Sequence, residues 1–186
     1  MSGAGIRRFQ VVELLVELDK RMNERELTLS IRVVGGSALL LHGLIDRATE
    51  DIDAYYSHQA EVEEIIGAMA KEFGLPKKWL NSSAAAFIPD NAGWTAAPDS
   101  VLAHVKLADL PTLTAMKLAA ERDKDILDLG HLVNALGLND PSEILDLAYE
   151  KYGEDSIPLS QGRANYEIVA AEALSAARRF KASKNF

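Results

Sequence analysis

Cysteine is absent from the 186 residues, which excludes disulfides, zinc–thiolate centres and a thiol nucleophile. Histidine is scarce: four are scattered along the chain, too few and too far apart for a histidine-built metal site. Long apolar runs are also missing. The stretch from Ile6 to Leu18 is interrupted by Arg7, Arg8, Glu13 and Glu17, so neither a secretory leader nor a membrane span is expected and the default location is cytoplasmic. Positive charge is in deficit, with 20 Lys and Arg against 28 Asp and Glu, a formal net charge of −8. The clustered bases are Lys77-Lys78 and, at the tail, Arg178-Arg179 with Lys181 and Lys184. A protein that lives on duplex DNA carries a basic face, so general duplex binding is not expected. A nucleotide or an RNA end held through a metal ion remains open, because the ion supplies the positive charge. No internal repeat and no low-complexity linker is present.

What remains is a chain 48% hydrophobic, enough for a real core. Val11, Leu14, Leu15 and Leu18 recur at helical spacing within a helix expected over 7–26. Ser30 to Val34 reads as a buried strand, broken by Gly35-Gly36, with a short helix from Ser37 to His42 ended by Gly43. Asp51 to Tyr56 alternates polar and apolar residues with the period of a strand. Glu61 to Phe73 reads as a helix, and 76–99 carries no clear assignment. Val101 to Leu107 is expected to be a strand. Pro111 opens a helix to about Arg122, which restarts at Asp123 or Lys124 and stops at Gly137. Pro141 to Tyr152 and Arg163 to Ala182 complete the helices. The order predicts an α/β (α+β) fold, a small mixed sheet flanked by helices with a helical C-terminal region. Residues 1–136 are expected to form the core and 137–186 a helical extension packed on it.

Two segments carry the chemistry. In Val33-Val34-Gly35-Gly36-Ser37, glycines let a ligand approach the backbone, and the helix behind them offers unpaired N–H groups and a hydroxyl donor at Ser37. A triphosphate tail suits such a turn. So does the plainer reading, a tight strand-to-helix turn with Ser37 as a cap. In Arg47-Ala48-Thr49-Glu50-Asp51-Ile52-Asp53, strand alternation places Asp51 and Asp53 on one face. Mg²⁺ takes such hard oxygen ligands together with waters and substrate phosphates. Arg47 either reaches a phosphate or pairs with Glu50 or Asp51. Further on, Lys117 interrupts the apolar stripe of Leu113, Met116 and Ala120, and Asp125 is in register with Leu129, Leu132 and Leu136. Inward carboxylates want a cation, so Lys117 with Asp125 is either part of a site or a structural ion cluster joining two helices.

Gly35-Gly36-Ser37 followed by Arg47-x-Thr49-x-Asp51-Ile52-Asp53 resembles the minimal nucleotidyltransferases of the DNA polymerase β superfamily. The stretch Leu113 to Leu132, with Gly74-Leu75-Pro76 and Trp79-Leu80-Asn81, is similar to the AbiEii-like and DUF6036 branch, which includes toxins of type IV toxin–antitoxin systems. The resemblance covers about residues 30–136. It implies a Mg²⁺-dependent enzyme that moves a nucleoside monophosphate from NTP to an RNA end or a protein hydroxyl. Asp51 and Asp53 would bind the metal and act in catalysis with Lys117. Gly35, Gly36, Ser37, Arg47 and Thr49 would hold the nucleotide, with Asp125 close by. A cognate toxin or antitoxin would be the protein partner. One departure stands out: fully equipped superfamily members carry a third acid on a neighbouring strand, and Val101 to Leu107 offers His104 and Lys106 but no acid. The rival expectation is therefore a catalytically silent interaction module of the same fold.

Overall fold

The computed structural model describes residues 5–98 and 102–183. The chain folds as two compact units, Met1–Ala86 with Trp94–Leu107 and Phe87–Gly93 with Ala108–Phe186. Residue 137, where a helical extension was expected to begin, lies inside the second unit.

The first unit is built on a five-stranded mixed sheet. Its strands are β1 (Ile31–Val33), β2 (Ile52–Tyr56), β3 (Leu80–Asn81), β4 (Trp94–Ala96) and β5 (Val105–Ala108), in the order β3-β2-β1-β5-β4. β2 runs antiparallel to β1 and parallel to β3, while β1 and β5 are parallel. Alternation on β2 is as the sequence predicts: Ile52, Ala54 and Tyr56 are buried, and Asp53 and Tyr55 take the other face. Helices α1 (Arg8–Asn23), α2 (Gly35–Leu41) and α3 (Gln59–Phe73) belong to this unit. α1 turns Val11, Leu14, Leu15, Leu18 and Met22 inward, and α3 turns Val62, Ile65, Ile66, Met69 and Ala70 inward. α1 packs on α3, and Gly74 closes α3 at φ +66°. Trp79 is fully buried with its indole N–H donating to the Ile66 carbonyl at 3.2 Å, which ties the approach to β3 onto α3. A buried indole needs such an acceptor.

Two expectations shift here. Gly35 and Gly36 do not stand outside the helix but form its first turn, with Val34 as the extended N-cap. The strand expected from Val101 begins only at Val105: Leu102 to His104 form a turn, and Val101 lies outside the described residues. The unassigned stretch supplies β3, a 3₁₀ turn at Ala85–Phe87 and β4. These pieces are too short, at two or three residues each, to leave a periodic signature.

The second unit is helical: α4 (Leu110–Ala120), α5 (Asp123–Leu136), α6 (Pro141–Tyr152) and α7 (Arg163–Ser183). Asp109 caps α4 by accepting from the Thr112 N–H at 2.8 Å, and Asp140 caps α6 by accepting from Ser142 N–H at 2.9 Å. Glu121, in the left-handed conformation, separates α4 from α5. α5 packs on α7, and α4 packs on both α5 and α6. Leu118, Leu129, Val133, Ile144, Tyr166 and Ala173 lie in the shared core.

Candidate functional site

β1 delivers the chain to Gly35, whose φ of +64° is one that a residue with a Cβ rarely adopts. A Cβ built there would also stand 3.2 Å from Asp53 Oδ2. The bare backbone of the turn thus lies directly against the Asp53 carboxylate. The Val34 N–H donates to the Asp53 carbonyl at 2.9 Å, which fixes the end of β1 to that residue. One residue on, a Cβ at Gly36 would meet Thr49 Oγ1 at 3.2 Å. The positive φ thus favours glycine at 35, and at both positions a Cβ would crowd the segment that carries the acids.

The Asp51 backbone is clamped from two sides. The Ser37 hydroxyl donates to the Asp51 carbonyl at 2.9 Å, and the Thr49 hydroxyl donates to the same oxygen at 3.0 Å. Both side chains are buried, and a carbonyl has two lone pairs to receive them. Thr49 is itself held by a reciprocal backbone pair with Ile6. The N-cap of α2 is Val34, not Ser37, and the Ser37 and Thr49 hydroxyls both tie down the Asp51 backbone. Arg47 is exposed on the loop that leads to the acids.

The Asp51 carboxylate has its own partner: Asn81 Nδ2 donates to Asp51 Oδ2 at 3.0 Å. Asn81 is paired in register with Asp53 across β2 and β3. The acid strand lies between β1 and β3, and the 105–108 strand sits on the far side of β1. The third acid sought on Val101 to Leu107 was sought on the wrong strand, and the neighbour strand carries an amide. Asp99 lies outside the described residues, and Asp109 serves as the α4 cap. Among the described residues no group of three or more His, Cys, Asp or Glu side chains gathers at a metal-binding distance. The donor chemistry of Asp51 and Asp53 suits a hard divalent ion whose remaining ligands are waters and phosphate oxygens.

Lys117 and Asp125 lie in the second unit. Lys117 Nζ pairs with Asp128 Oδ2 at 2.8 Å and with Asp125 Oδ1, and Arg122 Nε pairs with the other oxygen of Asp125. Lys117, Asp125 and Asp128 are buried, whereas Arg122 and Asp123 are exposed. Burial alone would raise the Asp125 carboxyl, but Lys117 and Arg122 outweigh it and hold it below its ordinary value. The helix-joining ion cluster weighed from the sequence is therefore present. Asp128 is a full member of it, and Asp123 is not.

Sequence reasoning gave Asn81 no role. Its signal was an Asn two residues ahead of Ser83, whose N–H donates to Asn81 Oδ1 at 2.9 Å, the Asx arrangement that anchors a turn.

A mixed sheet flanked by helices, with the first glycine of a strand-to-helix turn set against an aspartate of the neighbouring strand, defines the class: an α+β domain. Residues 10–149, well over half of the chain, match the family described as "Nucleotidyltransferase of unknown function (DUF6036)", and the chain belongs to that family. No curated protein and no solved structure matches it. Among the described residues no helix is long and apolar enough to cross a membrane.

Proposed function

We propose that the protein is a Mg²⁺-dependent nucleotidyltransferase that moves a nucleoside monophosphate from NTP to an RNA end or a protein hydroxyl. The observation that carries this reading is the seating of the Asp53 carboxylate against Gly35, with Asp51 clamped two residues before it by Ser37 and Thr49. The first glycine of the turn stands against one of the two acids, and the backbone of the other is held by the turn's serine. Asp51 and Asp53 would hold the ion. Bound there, Mg²⁺ would neutralise phosphate charge and align the α-phosphate for in-line displacement. The acceptor oxygen would form the new bond to the α-phosphorus, and pyrophosphate would leave with the electrons of the broken bond. The Gly35–Gly36 backbone would face the phosphates, and exposed Arg47 would supply a guanidinium to them. On the family resemblance Lys117 would contact the triphosphate or play a supporting part. Its two aspartate partners favour the second, in which it holds α4 to α5 with Asp125.

The test is incubation with labelled NTPs, Mg²⁺ and cell extract. Wild type should label an acceptor and Asp53→Ala should not. Identical labelling by the two proteins defeats the enzymatic reading.

A second reading, a catalytically silent member that acts as a toxin–antitoxin partner, is favoured by one observation: an amide, not an acid, is the strand neighbour of Asp53. Calorimetry with NTP and Mg²⁺ separates the two. Metal-dependent binding supports the enzyme, and its absence supports the silent module.

A further inference from the structure

Asn81 can sit in one orientation only. Its Oδ1 accepts from the Ser83 N–H at 2.9 Å, and its Nδ2 donates to Asp51 Oδ2 at 3.0 Å and to the Lys78 carbonyl at 3.4 Å. Flipping the amide would set oxygen against two acceptors and nitrogen against a donor. The group presented to Asp51 is therefore an N–H, which cannot ligate a cation and which occupies one lone pair of the carboxylate. Asn81 is half-buried on β3 and in register with Asp53, so it flanks both acids.

From this geometry, and resting on the metal-binding reading of Asp51 and Asp53, we infer that Asn81 limits the site to a single divalent ion. It is a positioning residue: it orients Asp51 so that the other carboxylate oxygen is left for the ion, and it places a donor where a second ion would need a ligand. Two ions held side by side need bridging and flanking oxygens. An aspartate at 81 would bring a carboxylate oxygen up to Asp51 Oδ2 and the Lys78 carbonyl. Near neutral pH a cation relieves such a cluster without the protonation of one carboxylate that its repulsion otherwise favours. The amide therefore acts as the determinant of ion number, and its replacement by an acid should create the missing ligand set.

The test is Mn²⁺ binding, read by calorimetry and by the loss of free-ion electron paramagnetic resonance signal, on wild type, Asn81→Asp and Asn81→Ala. Wild type should bind one Mn²⁺ per chain. Asn81→Asp should bind a second, or hold the first at least about tenfold more tightly, a shift of about 1.4 kcal/mol. Asn81→Ala should keep a stoichiometry of one Mn²⁺ per chain, held more weakly because Asp51 loses the amide that orients it. Two ions on wild type, a second ion on Asn81→Ala, or unchanged binding by Asn81→Asp would overturn the inference. Absence of Mn²⁺ binding in all three proteins is a separate result, and it removes the metal-site reading on which the inference stands.

Discussion

At the scale of single residues, the most telling side chains are two hydroxyls that donate to the backbone of an acid. Ser37 and Thr49 converge on one carbonyl oxygen, and each bond contributes about 1 kcal/mol when its partner stays satisfied. Ser37→Ala and Thr49→Val should each cost about 1 kcal/mol in urea unfolding. The double variant should cost more than the sum, because the last donor to that oxygen is then gone. In the proposed reaction the same variants should lower kcat and leave the KM for NTP little changed, since they displace Asp51 rather than bind substrate. A rise in KM with unaltered kcat would instead make the hydroxyls phosphate ligands. Both residues stood out in the sequence beside the glycines and the acids. Their bonding did not, because a hydroxyl such as that of Ser37 after a glycine pair reads equally well as a cap or a phosphate donor. The choice depends on the distant Asp51 carbonyl, which folding brings into reach.

At the scale of elements, the α4–α5 corner rests on Lys117 between Asp125 and Asp128. Removing the ammonium takes from both buried carboxylates the charge they share, while exposed Arg122 still pairs with Asp125. Lys117→Met should destabilise the protein by about 3–5 kcal/mol in denaturant unfolding. A change below about 1 kcal/mol would show that the cluster is dispensable. The pH dependence has a definite sign. The folded Asp125 carboxyl lies below its ordinary 3.8, so its contribution is present above that value and fades as the pH falls through the lower folded one. The stability gap between wild type and Asp125→Asn should therefore be widest near neutrality and close in acid; a gap that widens in acid would reverse the assignment. Packing gives a third check. A Cβ at Gly130 would stand 3.1 Å from the Ala176 Cβ and 3.2 Å from the Ala173 carbonyl, so α5 and α7 approach closely there. Gly130→Leu should cost at least about 2 kcal/mol by overpacking, seen as a lowered midpoint in thermal unfolding.

The helices of this corner were readable because their punctuation is local. Pro141 and Gly153 bracket α6, and Gly137 closes α5 at φ +72°. Strand pairing was not readable. The Asp51–Tyr56 strand announced its faces through alternation, but nothing in residues 76–99 revealed that two residues, Leu80 and Asn81, would pair with it. A strand so short has no period, and its pairing is set by the seating of Trp79 under α3. The search for a third acid therefore went to the longer and more strand-like Val101 to Leu107, which pairs with β1 instead.

At the scale of the whole molecule, the net charge of −8 sets how it meets its partners. Duplex DNA should not be retarded by about 1 µM protein at physiological salt. A polyphosphate approaching two aspartates in this field would be repelled unless a divalent ion travels with it or waits for it. The dependence on the ion should accordingly be steep.

The most direct measurement is a calorimetric titration of NTP into wild type, Asp51→Asn and Asp53→Asn, each with Mg²⁺ and each with EDTA. Binding to wild type that requires Mg²⁺ and weakens at least about tenfold in both variants is the predicted result. Binding that survives EDTA or both substitutions, or no binding by folded wild type, would contradict it.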